Sequence, residues 1–297
     1  MEEGLQPPME RVVLMWTLQA QFAGYALARR ERPALELVSR PPATTPIREV
    51  VEGRAEFGLA SPSHILAAGD AGSEVLLAAV VMPRSPIVAV ARKGTPGADL
   101  AGATGLRIGV WASEDSEIRA MLVRAGADPD ANEFIPIGDE VEPIVTGEVD
   151  LIQATTYNEV PLIERAGLPA DEMVLHRPED YGVATAKDGL VVSRRLAEQQ
   201  PDLVHGVVDA VVRGWRAAID DPTAAVAAIC ELAPALDPVD QAGQLERVLG
   251  LIDPDRPLGQ PLPEDLERAV AVHRALGRDV STADIALLEH DWPVAGA

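Results

Sequence analysis

Short apolar runs recur along the first two-thirds of the chain, and most are separated by stretches in which apolar residues fall three or four apart. The runs predict strands at 11–16, 35–38, 57–60, 75–81, 87–91, 106–110, 133–137, 151–153, 173–175 and 190–192. The intervening spacing predicts helices; over 116–126, Ile118, Met121, Leu122 and Ala125 share one face, and Gly126 and Pro129 supply the stop. Strand–helix–strand alternation implies mostly parallel sheet covered by helices. Beyond Ser193 the pattern is helical, with Pro201 and Pro222 each placed where a new helix begins. The tail from 234 to 292 also reads as mainly helical, apart from the loop PDRPLGQPLP.

Two segments share one design. In GRAEFGLAS (53–61) and GEVDLIQAT (147–155) a glycine ends a helix, an acidic residue follows, and a buried strand runs into small polar residues. Ligands of α/β sheets bind at the carboxyl ends of strands. The repetition therefore predicts a two-lobed α/β protein: residues 1–89 and 184–297 as lobe one, 90–183 as lobe two, crossovers near 84–90 and 181–190, and a ligand cleft between the lobes.

Composition narrows the functions. The chain has 297 residues, 47% of them hydrophobic, enough for a substantial core, but only 3% aromatic, so each ring is informative. A formal charge of −22 excludes nucleic acid and anionic membrane as expected partners. The single cysteine, Cys230, makes no internal disulfide and no thiolate metal site; its apolar setting reads as a structural thiol. No apolar run is long enough for a membrane helix. The start, MEEGLQPPMER, lacks signal-peptide regions. The expectation is an extracytoplasmic protein if a leader was removed, and otherwise a cytoplasmic one, monomeric in either case.

Four constellations carry candidate chemistry. In WTLQAQFAGY, Trp16 and Tyr25 offer ring faces and Gln19 and Gln21 offer amide edges for a planar ligand; the alternative is an ordinary strand–helix turn. In GVWASEDSEIRAML, Trp111 ends a strand, Ser113 is placed to cap the next helix, and Glu114 and Asp115 occupy its first turn. Acidic residues there complement the helix dipole and fill the place of an anion, which disfavours phosphate, sulfonate or nitrate and leaves neutral or basic heterocycles. In QATTYNEV, Tyr157, Asn158 and Glu159 open a helix at a strand end, as ligand contacts or as a helix start. Asp180 and Tyr181, with Glu179, lie near the second crossover, facing the cleft or forming a solvated hinge loop. Ser61 and Ser63 end the strand of the first paired segment. No catalytic residue, metal site or cofactor is expected: HExxH, GxSxG and a P-loop are absent, and the five histidines have no metal-ligand spacing. His64 reads as a satisfied, partly buried histidine.

WTLQAQFAGYALA, GRAEFGLASPSHILAAG, LRIGVW and GEVDLIQATTYNEV, taken in order, resemble the NMT1/THI5-like solute-binding proteins, of type II periplasmic-binding-protein fold. The resemblance implies the binding component of an ABC importer, with transmembrane permease subunits as partners and lobe closure as the signal they read. It implies a heterocycle such as a thiamine pyrimidine precursor or riboflavin, stacked among Trp16, Trp111 and Tyr157, with Gln19, Gln21, Ser61, Asn158 and Glu159 at its edges. The family also contains enzymes that make the thiamine pyrimidine, marked by a K-x-x-x-H motif and a cysteine-rich iron motif. Here His64 matches the histidine, Ala60 stands in place of the lysine, and DYGVATAKDGLVVS has no cysteine. That implies a binder rather than an enzyme; a cytoplasmic sensor using the same clamp is the other alternative.

Overall fold

The computed structural model describes residues 10–41, 43–111 and 115–292. The chain runs β1 (Glu10–Val13), a 3-10 turn (Ala20–Phe22), α1 (Ala23–Glu31), β2 (Leu35–Val38), α2 (Pro46–Val51), β3 (Phe57–Leu59), α3 (Pro62–Ala67), α4 (Asp70–Ser73) and β4 (Val75–Met82). It continues through β5 (Ile87–Arg92), β6 (Arg107–Val110), α5 (Ser116–Arg124), β7 (Glu133–Pro136), α6 (Glu142–Thr146), β8 (Leu151–Thr155), α7 (Glu159–Arg165) and β9 (Met173–His176). After β10 (Lys187–Ser193) come α8 (Arg194–Gln199), α9 (Pro201–Asp220), α10 (Pro222–Leu232), α11 (Pro238–Leu249) and α12 (Pro263–Ala275). Each predicted strand is present, with ends shifted by a few residues. β1 stops at Val13, so Trp16 lies beyond the strand.

Two compact units form. The first comprises Met1–Pro83, Lys187–Pro263 and Ala283–Ala297, and the second Arg84–Ala186 and Glu264–Thr282. Sequence patterning placed everything after 184 with the N-terminal third. In the structure residues 264–282, which carry α12, pack with the second unit instead. Leu266, Ala269, Val270 and Val272 of α12 are buried, an apolar face that helical periodicity reveals without saying what covers it. The predicted helical tail also ends early. Among the described residues beyond α12 only a 3-10 turn at Thr282–Asp284 is helical, and the chain then lies along β4, with Leu77 N–H donating to Ala286 O (2.8 Å) and Leu288 N–H to Leu77 O (3.0 Å).

The first sheet has the order β2-β1-β3-β10-β4. β1 is parallel to β2 and β3, whereas β10 enters antiparallel to both β3 and β4. The second sheet has the order β7-β6-β8-β5-β9, with β6 parallel to β7 and β8 and β5 antiparallel to β8 and β9. Each sheet is thus mixed and flanked by helices, with strands such as β3 and β10 buried on both faces, which explains their unbroken apolar runs.

The helices follow from the same rules. Pro201 and Pro222 stand in the first turns of α9 and α10, where a missing N–H costs nothing. On α9, Val204, Val207, Val208, Val211, Trp215 and Ala218 are buried while Asp209, Arg213 and Arg216 face solvent. α9 lies against α1 at two glycines. A Cβ on Gly214 would stand 2.1 Å from the Gly24 carbonyl oxygen, and one on Gly24 2.3 Å from the Trp215 ring. Cys230, on α10, is half-buried and unbridged.

Within the second unit the Glu117 carboxylate, in the first turn of α5, is wholly buried. One oxygen accepts from the Thr185 backbone N–H (2.6 Å) and hydroxyl (2.9 Å), and the other from the Ser85 hydroxyl (3.1 Å). Ser85 precedes β5 and Thr185 precedes β10, so this side chain fixes both chain segments at which the second unit begins and ends its central span.

Two stability predictions follow from these contacts. Gly214→Ala forces α1 and α9 apart and costs about 1–3 kcal/mol by overpacking, read as a lowered Tm in thermal denaturation; an unchanged Tm would show that the helices separate freely. Glu117→Ala strands buried donors and costs about 3 kcal/mol in urea unfolding, with Glu117→Gln costing less because it keeps an acceptor.

Candidate functional site

In the first unit, β1 and β3 are parallel and end at the same edge of the sheet, and antiparallel β10 begins there. The Ala60 N–H donates to Gly189 O at 2.8 Å, which sets Asp188 beside Ser61. Past β1 the chain turns through Gln19 and the 3-10 turn, and both glutamines are buried although no strand or helix needs them there. They form a directional relay. Gln244 Nε2 of α11 donates to Gln19 Oε1 (2.9 Å), Gln19 Nε2 to Gln21 Oε1 (3.0 Å), and Gln21 Nε2 to both carboxylate oxygens of Asp188 (3.0 and 2.8 Å). Gln241 Oε1 accepts from the Ala20 N–H at 2.7 Å, so α11 holds the turn by its backbone too.

Asp188 is 5% exposed and has a φ of 50°, the one non-glycine with positive φ among the described residues. Such a backbone is held only where the surroundings over-determine it. Tyr25 follows Gln21 by one helical turn, is fully buried, and packs edge-on to Trp215 with ring centroids 6.1 Å apart. Among the described residues its hydroxyl has no hydrogen-bond partner. Burial first, and the negative charge of Asp188 second, push its pKa well above the usual tyrosine value. Trp16 is half-buried. Ser61 caps α3: its hydroxyl accepts from the His64 N–H (3.2 Å) while its own N–H donates to His64 Nδ1 (3.0 Å). His64 is thereby satisfied, and Ser63 is buried in the first turn.

In the second unit, Trp111 follows β6 and is 8% exposed. Its backbone N–H donates to Gln153 Oε1 (3.1 Å) and its indole N–H to Gly138 O (3.0 Å). Tyr157, at the end of β8, is buried and Asn158 half-buried. Glu159 is engaged at home: one carboxylate oxygen accepts from the Thr155 N–H (2.8 Å) and hydroxyl (2.5 Å), the other from Asn158 Nδ2 (2.6 Å). Glu159 thus shapes the strand end and orients Asn158. Tyr181 lies 2.9 Å from His176 Nδ1, whose Nε2 donates to Gly97 O (2.9 Å), so the hydroxyl is tied into its own unit; Asp180 is exposed. Desolvation, then Asp180 and Asp99, raise the Tyr181 pKa. Ser113 and Glu114 lie outside the described residues. Asp115 is the N-cap of α5 without a capping bond, its carboxylate held by Arg119 Nε at 2.6 Å, and Glu117 rather than Asp115 occupies the first turn.

The structure therefore gathers Gln19, Gln21, Tyr25 and Ser61 around one sheet edge, and Trp111, Tyr157, Asn158 and Glu159 around the ends of β6 and β8. Sequence reading missed Asp188, Gln241 and Gln244. The only sign of Asp188 was the polar pair Lys187–Asp188 opening an otherwise apolar strand; nothing in α11 marked its glutamines. Among the described residues no group of three or more His, Cys, Asp or Glu is placed to hold a metal ion, and no helix is long and apolar enough to cross a membrane.

Solved structures share this fold. A protein of Bordetella bronchiseptica RB50 superposes with a TM-score of 0.72 at 17% identity, over 94% of this chain and 92% of that one. The periplasmic aliphatic sulphonate binding protein SsuA of Escherichia coli gives 0.65 at 15% identity, over 96% and 94%. The desulfurization enzyme DSZB gives 0.57 at 15% identity, over 93% and 96%. No curated protein matches the sequence. A family model described as NMT1/THI5 like matches residues 34–225, beginning after the Trp16–Tyr25 stretch. With well over half of its length matched, and with two mixed five-stranded sheets of the periplasmic-binding-protein fold, the chain belongs to the NMT1/THI5-like family.

Proposed function

We propose that this protein is the solute-binding component of an ABC importer, working outside the cytoplasm and delivering its ligand to transmembrane permease subunits. The ligand is a small planar heterocycle, neutral or basic, of the thiamine-pyrimidine-precursor or riboflavin kind. The observation that carries this reading is the buried amide relay Gln244–Gln19–Gln21–Asp188, at the edge where β1 and β3 end. Buried amides in a fixed order set a defined pattern of donors and acceptors, and Trp16, half-buried past the end of β1, is the ring this reading assigns to stacking. Membership of the family and the fold of the sulphonate-binding SsuA both support a binder. Within the second unit, Trp111, Tyr157 and Asn158 are the ligand-contact candidates of this reading, and Glu159 positions Asn158.

A sulphonate, as in the name of SsuA, suits these residues poorly. The first turn of α3 is closed by Ser61, the start of α7 by Glu159, and α5 begins with Asp115 and the buried Glu117. Helix N-termini attract anions through free amides, and carboxylates there repel them. Enzymatic chemistry of the pyrimidine-synthase kind is disfavoured by Ala60 in the lysine position and by the absence of thiols over 180–193.

Native mass spectrometry of freshly purified protein is expected to find a co-purified heterocycle, and thermal-shift assays a rise in Tm with hydroxymethylpyrimidine, thiamine or riboflavin. Trp16→Ala is expected to weaken the bound heterocycle by about 0.5–1.5 kcal/mol beyond the loss of contact area, measured by calorimetry. Stabilisation by sulfonates alone would refute the heterocycle.

A further inference from the structure

Residues 285–292 form a strap on the first unit. They run beside β4, the outermost strand of its sheet, and are bonded there to both backbone groups of Leu77. Ile285 is buried, and the Trp292 ring lies so close to Gly259 that a Cβ there would stand 3.1 Å from it. Between these holds, His290 meets His205 of α9. Their Nδ1 atoms are 2.9 Å apart, the ring centroids 5.2 Å, and the ring planes differ by 15°. That centroid distance is near the largest a 2.9 Å contact allows, so the two nitrogens point at each other along the line joining the rings. Such a line holds one proton, an N–H on one ring facing a lone pair on the other. It has no room for a metal ion, which needs about 2.0–2.1 Å to each nitrogen.

The His290 side chain is 5% exposed, and its Nε2 lies 3.2 Å from Asp209 Oδ1 but out of line for a hydrogen bond. The other charged groups on the surrounding elements are engaged elsewhere or face solvent. On α9, Arg213 pairs with Glu31 (2.9 Å) and Asp202 is exposed; Arg32, beside Gly206, pairs with Glu10 (2.7 Å). The loop carrying Gly259 bears Asp253, Asp255 and Arg256, the last donating to Gln260 O (2.6 Å). Glu289 and Asp291 flank His290; Asp291 and Glu289 are exposed, and β4 (VLLAAVVM) has no titratable side chain.

We propose that His205 and His290 form an acid-sensitive latch, which holds the strap on the first unit and lets it go when both rings are protonated. The inference is independent of the ligand reading above. The latched pair accepts a first proton: one ring donates its Nδ1–H to the other's lone pair, and Asp209 stands beside His290 to share the charge. A second proton sets N–H against N–H at 2.9 Å, so the bond is lost and two like charges meet. A released strap has no such limit, because two solvated imidazoles each take a proton below about pH 6.5. The released state therefore binds more protons in acid, and linkage fixes the sign. The latch is whole at neutral and alkaline pH and weakens as pH falls below that value. Overall charge works the other way: acid neutralises a chain of −22 and eases its self-repulsion, so release of the strap in acid is not general swelling. Release bares backbone groups of β4, an edge of the kind that pairs with other strands.

The experiment is hydrogen exchange of the full chain by mass spectrometry at about pH 7.5 and about pH 5, each corrected for the chemical exchange rate at that pH. Peptides covering 284–292 are expected to open about tenfold more in acid, the change that one proton of difference gives per pH unit, while peptides of β10 and α10 hold. His205→Gln and His290→Gln each place an amide oxygen, which binds no proton, opposite the remaining ring. Each is expected to keep the strap protected at both pH values. An acid response that persists unchanged in either folded variant would assign it to other groups and overturn the inference. So would a wild-type strap that is equally open at both pH values, that tightens in acid, or that opens only together with β10 and α10. If neither variant folds, nitrogen-15 NMR of the wild-type imidazoles decides. Loss of the Nδ1–H···Nδ1 bond in step with strap opening upholds the latch, and opening while that bond persists overturns it.

Discussion

The pairing of β10 between β3 and β4 is the constraint from which the first unit is built. β3 and β4 are not bonded to each other; each finds its partner in a strand that arrives more than a hundred residues later. Buried backbone groups must be paired, so without β10 both strands would carry open edges into the core. Because β10 enters antiparallel, its first residues, not its last, meet the carboxyl ends of β1 and β3. That is why Asp188 stands beside Ser61 and within reach of Gln21.

The same demand for paired polar groups governs both units. Glu117 answers donors from two segments far apart in sequence, and Glu159 answers donors from its own helix start. Each carboxylate is buried because its surroundings supply hydrogen bonds, and each fixes a piece of irregular backbone in return. Glu159 shows why a polar residue at a strand end is ambiguous in sequence. A ligand acceptor and a helix organiser have the same residue type at the same spacing, and only the partners of its two oxygens tell them apart. Asp188 differs from both, since it ends a chain of donors that begins on another helix and lies in a strained backbone.

Fold class was readable because it rests on periodicity. Runs such as 75–81 and 87–91 are apolar without alternation, as strands buried on both faces must be, and Pro201 and Pro222 mark helix starts by chemistry local to a single turn. The resemblance of TYNE and WxxQAQFAGY to a family pointed at two strand ends. It could not separate Gln21, whose amide reaches a carboxylate, from Tyr181, whose hydroxyl is tied to His176.

What the sequence determined by itself is the alternation of strand and helix, the family, the acidic surface and the absence of a thiol cluster, all properties of residues close along the chain. What only the tertiary structure decided is which unit claims α12, which strand closes the first sheet, and which buried polar groups meet. Gln21, Asp188 and Gln244 are separated by more than two hundred residues in all, and no local preference encodes their meeting. Hydrogen-bond partners of buried side chains are chosen by the packing of whole elements, and that packing is fixed only once the sheets have formed.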